Sequence, residues 1–95
     1  MKDKIIHALC RFKEMNRKKY HIIRIGLFGS AAKGCMNEHS DIDVVVELEE
    51  QDLFHLIGIR QDLEEQFDKP VDVVSYREKM NQFLKNRIDK EAVYV

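Results

Sequence analysis

Only one proline, Pro70, interrupts the sequence, and four glycines are spread along it. That scarcity excludes a proline- or glycine-rich linker, and no internal repeat or low-complexity tract is present. Long hydrophobic runs are also missing, so no segment approaches the ~20 apolar residues of a membrane span. The formal net charge is −1, which argues against capture of nucleic acid by bulk attraction. The two cysteines, Cys10 and Cys35, lie far apart and fit no metal-ligand spacing. One disulfide is arithmetically available. Met1 is followed by a charged amphipathic segment rather than an apolar one, so a cytoplasmic location with reduced thiols is expected.

What the sequence has is an ordinary soluble balance, with 44% hydrophobic and 35% charged residues. Its 95 residues are expected to form one domain over 1–95, with a small core and no obvious staple. Ile5, Ile6, Leu9, Phe12 and Met15 recur at helical spacing and predict an amphipathic helix from residue 2 to about 18. Ile22, Ile23, Ile25, Leu27 and Phe28 predict a buried strand ended by Gly29. Ser30 is expected to cap a short helix from Ala31 to about Lys33. Residues 34–40 are polar and turn-like. A second strand follows over 41–48. Its consecutive Val44, Val45 and Val46 predict cover on both faces.

Asp52 is suited to cap a third helix, with Leu53, Leu56, Ile57, Leu63 and Phe67 on its apolar side. Val71 to Ser75 predicts a third strand. Ser75-Tyr76-Arg77-Glu78 has the form of a capping box opening a fourth helix, with Met80, Phe83, Leu84 and Ile88 on one side. Residues 92–95 are compatible with an edge strand or with continuation of that helix. The alternation predicts an α/β (α+β) domain, a small sheet of three to four strands packed on helices.

Two carboxylates, Asp41 and Asp43, stand two residues apart on the predicted second strand, so both point to one face. Their Cα atoms would be roughly 6–7 Å apart. Charges about 5 Å apart repel by roughly 3 kcal/mol at an effective dielectric of ~20. A hard divalent cation, Mg²⁺ or Mn²⁺, would compensate. Gly29 lets the backbone come close to a ligand, and Ser30 offers a hydroxyl at a helix start suited to phosphate. Asp72, an acidic residue inside an apolar strand, needs a partner or a metal and is the candidate third carboxylate. The expected catalytic and metal-binding residues are therefore Asp41, Asp43 and Asp72. The expected nucleotide-binding residues are Gly29, Ser30, Lys33 and Ser40. The arrangement suits phosphoryl or nucleotidyl transfer.

At Gly29-Ser30, ten residues, then Asp41-Ile42-Asp43, the chain resembles the polymerase-beta-like nucleotidyltransferase superfamily, and more closely its minimal nucleotidyltransferases. The element order, Asp72 and the closing Glu91-Ala92-Val93-Tyr94 extend the resemblance over nearly the whole chain. It implies a mixed sheet flanked by helices, Mg²⁺, and transfer of a nucleoside monophosphate from ATP with release of pyrophosphate. It also implies an antitoxin that adenylylates a HEPN-domain toxin. Many relatives carry an arginine just after Gly-Ser. Here Ala31-Ala32 stand there, and the nearest cation is Lys33, a point charge without the bidentate fork.

The alternative is a catalytically weak or inactive binding module that neutralises its partner by contact. A transferase acting on a small acceptor or an RNA end fits less well, given the near-neutral charge and the little room for an acceptor-binding domain. Arg11, Lys13, Arg17, Lys18 and Lys19 read as a solvated helix face. His7, His21, His39 and His55 show no metal spacing, and Tyr20, Tyr76 and Tyr94 have no assignable chemistry. Membrane and strong nucleic-acid binding are not expected. A homodimer is among the expectations, because a small domain gains from covering its edge strand.

Overall fold

Hydrophobic periodicity alternates between helical and extended along the chain, and the computed structural model, which describes residues 2–34 and 41–95, turns that alternation into eight elements. They are α1 (Lys2–Tyr20), β1 (Ile22–Phe28), α2 (Gly29–Lys33), β2 (Ile42–Leu48), α3 (Leu53–Phe67), β3 (Val71–Ser75), α4 (Gln82–Glu91) and β4 (Val93–Tyr94). The strands form one mixed sheet in the order β3-β2-β1-β4. β1 runs antiparallel to both β2 and β4, and β2 runs parallel to β3. The mixed α/β architecture read from the sequence is the observed one. Residues 92–95 resolve as helix end and edge strand, with the Val95 N–H donating to the Ile25 carbonyl at 3.0 Å.

Val44, Val45 and Val46 are all fully buried, so both sheet faces are covered. Val44 and Val46 join Leu9 and Phe12 of α1 and Ile59 and Leu63 of α3 in the larger core. Val45 faces the other way, into a smaller core with Phe28 and Ile88 of α4. The sheet therefore lies between α1 and α3 on one side and α4 on the other. No helix among the described residues is long and apolar enough to cross a membrane.

β1 does not alternate cleanly. Ile22 pairs with Leu48 but Arg24 pairs with Glu47, which leaves one extra residue in β1. This β-bulge lets Ile22, Ile25 and Leu27 face the same core while Ile23 is 44% exposed. At the other edge of β1, Gly26 lets β4 dock. A Cβ there would stand 2.6 Å from the Val93 carbonyl oxygen.

Several local expectations need correction. Ser30 does not cap α2. The helix starts two residues earlier, at Gly29, and Phe28 occupies the cap position without a side-chain cap hydrogen bond. Ser75 does not open α4 either. It ends β3, buried, with its hydroxyl donating to Gln51 Oε1 at 2.9 Å. The next N–H, from Tyr76, is taken by the Val46 carbonyl at 2.7 Å, so the chain continues along the sheet. Asn81 caps α4, its side chain accepting from the Leu84 N–H at 3.0 Å. Met80 accordingly precedes that helix, and Phe83 faces solvent. Leu53 and Ile57 are likewise exposed on α3, whereas Asp52 caps that helix as expected.

Candidate active site

The C-terminal end of β1, the N-terminal end of β2 and the N-terminal end of β3 lie side by side. Phe28 pairs with Asp43, and Asp43 pairs with Asp72. Paired residues on neighbouring strands point to the same face. Asp43 and Asp72 thus share the α4 side of the sheet with Phe28 and Val45. Asp41 stands just before β2 and is exposed, and Asp72 is exposed on the edge strand. Asp43 is half-buried between them and β1.

Gly29 has a φ of +69°, a conformation that favours glycine. A Cβ at this position would overlap Asp43 Oδ2 and lie 3.5 Å from Arg87 Nη2. The missing side chain leaves the space in which the Asp43 carboxylate rests against the β1–α2 backbone. Burial pushes the Asp43 carboxyl above the usual aspartate range. The neighbouring Asp72 pushes it further, Arg87 opposes, and Asp41 and Glu91 add to the rise.

α4 supplies residues that the sequence did not single out as site residues. The Arg87 guanidinium lies 5.8 Å from the centre of the Phe28 ring. Its Nε is 3.3 Å from Glu91 Oε2, one helical turn on. Glu91 Oε1 in turn holds Lys33 Nζ at 3.0 Å. The hydrogen bond from Lys33 draws the Glu91 carboxyl below the usual glutamate range, against the effect of burial. The charges of Lys33 and Arg87, and the Gly29 N–H that the carboxylate accepts, act in the same direction as that bond. Glu91 therefore ties α2, α4 and the Gly29 backbone together. The readable signal for Arg87 and Glu91 was their i,i+4 spacing on α4.

Of the expected residues, the fold brings Gly29, Asp41, Asp43 and Asp72 to one end of the sheet and sets Ser30 beside them in α2. Lys33 is engaged with Glu91. Ser40 and His39 lie outside the described residues, as does Cys35. Chemically, the cluster is a hard-oxygen donor set with no thiolate or imidazole in it, and repulsion inside it raises the Asp43 pKa. Both features suit Mg²⁺ or Mn²⁺. Among the described residues, no three His, Cys, Asp or Glu side chains form a metal cluster by themselves. An apolar hollow of about 310 Å³, lined by Lys4, Ile5, Ala8, Ile42 and Phe67, belongs to the opposite side of the sheet.

Residues 9–95 match the family model described as "Nucleotidyltransferase domain". A Methanocaldococcus jannaschii protein, provisionally named as a protein adenylyltransferase, is 41% identical over 78 residues, covering 81% of this chain and 83% of its own length. A Thermococcus cleftensis protein named protein adenylyltransferase MntA is 34% identical, with 98% of this chain and 94% of its own length covered. The solved structure of a protein described as a minimal nucleotidyltransferase superposes with a TM-score of 0.77 at 26% identity, over 95% of this chain and 92% of the other. The fold also matches, at a TM-score of 0.73 and 21% identity, a chain from a Shewanella oneidensis complex of an MNT antitoxin with a tri-AMPylated HEPN toxin. That match covers 99% of this chain and 71% of the other.

Proposed function

Since the chain belongs to the nucleotidyltransferase-domain family, we propose that it transfers AMP from ATP to a macromolecular acceptor, a HEPN-type toxin partner for which it serves as antitoxin. The observation that carries this reading is the Asp43 carboxylate, seated against Gly29 and pushed up in pKa by burial and by Asp72. A carboxylate in that position gains most from a cation. Asp41, Asp43 and Asp72 would hold Mg²⁺ or Mn²⁺, with phosphate oxygens of the nucleotide completing the shell. Mg²⁺ is commonly held this way, by one or two carboxylates plus substrate phosphates. When bound, the metal neutralises charge developing on the phosphoryl group.

The chain's own residues have separate tasks in this reading. Gly29 leaves room for the Asp43 carboxylate against the backbone, and Ser30 offers its hydroxyl to the phosphates. Asp72 is exposed at the sheet edge, and in this reading it would accept the proton of an incoming hydroxyl. Lys33, held by Glu91, lends positive charge on the α2 side. The acceptor comes from outside this chain. The relatives' names point to protein adenylylation, and the Shewanella oneidensis complex joins an MNT antitoxin to an AMPylated HEPN toxin.

The test is incubation with labelled ATP, Mg²⁺ and the partner toxin. Label is expected on the partner and is expected to vanish with Asp41→Ala plus Asp43→Ala. Label that survives the double substitution defeats the assignment of these carboxylates. A second reading is neutralisation by contact alone. It draws on Ala31-Ala32 after Gly29-Ser30 and on Lys33 being engaged with Glu91. Neutralisation by the double variant, with no label on the partner from the wild type, would establish it.

A further inference from the structure

Phe83 is 82% exposed on α4. The equally exposed Phe54 sits in an apolar patch with Leu53 and Ile57 on α3, all three exposed. Phe83 has different company. Asn86, Arg87, Lys90 and Glu91 follow it at helical spacing, and together they line an open groove of about 410 Å³. That volume is within the range of small-molecule sites. A single aromatic ring flanked by one amide and three charged side chains does not resemble the apolar centre of a protein interface. It resembles a platform for a flat ring that carries an anionic tail.

The groove also leads to the site. Its Glu91 end accepts the Gly29 N–H and holds Lys33. Its Arg87 lies close to Gly29 and Asp43. Arg87 keeps two features a phosphate contact needs: a side chain 47% exposed, and a guanidinium anchored through Nε to Glu91. Its terminal nitrogens are thereby oriented toward the Gly29 end of β1. Phe83 stands four residues earlier, about 6 Å along the helix axis at 1.5 Å per residue. Asn86 Oδ1 accepts from Gln82 Nε2 at 2.9 Å, which holds the Asn86 amide on the groove-lining stripe of α4.

We infer that this stripe of α4 is the nucleoside-binding side of the site, with the purine base stacked on Phe83 and the phosphates reached by Arg87 beside Gly29. The assignment rests on the nucleotidyl-transfer reading above and adds to it where the base lies and which cation serves the phosphates. Arg87 occupies, from the far end of the sequence, a role that Ala31-Ala32 cannot fill.

Two probes separate base from phosphate: ATP and inorganic tripolyphosphate, each titrated with Mg²⁺ into the 95-residue chain by calorimetry. Phe83→Ala is expected to weaken ATP about tenfold, the scale of one base–aromatic stack, and to leave tripolyphosphate unchanged. Phe83→Trp is expected to restore ATP binding. It also introduces the chain's sole tryptophan, whose fluorescence ATP should quench. Arg87→Gln is expected to weaken both ligands about tenfold, as loss of a charge-assisted contact does.

Phe83→Ala with unchanged ATP affinity, or with equal loss for both ligands, overturns the base platform. Normal ATP binding combined with loss of partner labelling would do the same, making Phe83 a docking residue. Tripolyphosphate binding insensitive to Arg87→Gln overturns the phosphate contact. In each of those cases the wild type still binds ATP and the nucleotidyl-transfer reading stands. A wild type that binds neither ligand fails that reading itself, and the α4 assignment falls with it.

Discussion

The Asp43 carboxylate occupies the space that a side chain on Gly29 would fill. Two residues fourteen positions apart therefore share one volume, and neither is free to change alone. Gly29→Ala meets a second obstacle, a φ of +69° that costs a non-glycine residue about 1–2 kcal/mol. The variant is expected to lower the melting temperature and to displace Asp43, with AMP transfer falling at least about 100-fold, as misplacement of a catalytic group by an ångström does. Thermal unfolding and a labelled transfer assay check both effects. Unchanged transfer in a folded variant would show that the close packing is dispensable.

Asp43 also imposes a pH dependence on stability. Its folded pKa is raised, so the unfolded chain loses the proton first as pH climbs. The relative stability is fully present below the ordinary aspartate value. It is lost as pH rises from there through the raised value, and stays lost above it. Asp43→Asn is expected to remove that loss. The variant should be at least as stable as wild type at pH 7, with a flatter stability–pH curve and no AMP transfer. Added Mg²⁺ should raise the melting temperature of wild type more than that of the variant.

Glu91 runs in the opposite sense. Its folded pKa is lowered, so its contribution is present above the ordinary glutamate value and is lost as pH falls toward the lowered one. Glu91→Gln should unfold at a lower temperature than wild type at neutral pH. The two curves should converge on acidification. Transfer should weaken as well, because Lys33 and Arg87 lose the carboxylate that orients them. Parallel curves at all pH values would mean that Glu91 acts by packing rather than by charge.

Asn81→Ala is expected to destabilise the protein by about 1 kcal/mol, the usual scale of a lost helix cap. Glu78→Gln should change stability little, since Glu78 is exposed and the capping-box role read for 75–78 is not realised. Urea unfolding of the two variants separates the alternatives. A larger effect at 78 than at 81 would move the start of α4 upstream.

Much of the fold was legible because its signals are local. Val44, Val45 and Val46 announced a strand covered on both faces, and Gly29 with Asp41 and Asp43 marked one end of the sheet by spacing alone. What stayed hidden depends on tertiary competition. Ser75-Tyr76-Arg77-Glu78 has a good capping pattern, but the Tyr76 N–H finds a better partner in the Val46 carbonyl. The bulge in β1 was masked because Ile22 and Ile23 are the same residue, so the sequence does not show which of them faces the core. Arg87 and Glu91 look like any exposed i,i+4 pair, and only the packing of α4 on the sheet carries them to Gly29. Asp72 sits beside Asp43 because β3 joins β2 in parallel, a pairing that one short apolar run does not specify.

The link from Lys33 through Glu91 to Arg87 also bears on the order of assembly during synthesis. Gly29, Asp41 and Asp43 are translated well before Arg87 and Glu91 of α4. A nascent chain that has completed β1, β2 and β3 holds an acidic cluster with neither Arg87 nor Glu91 beside it. Arg87 and Glu91 reach that cluster only when α4 packs over the sheet, so the Lys33–Glu91–Arg87 link forms after the strands that carry the carboxylates.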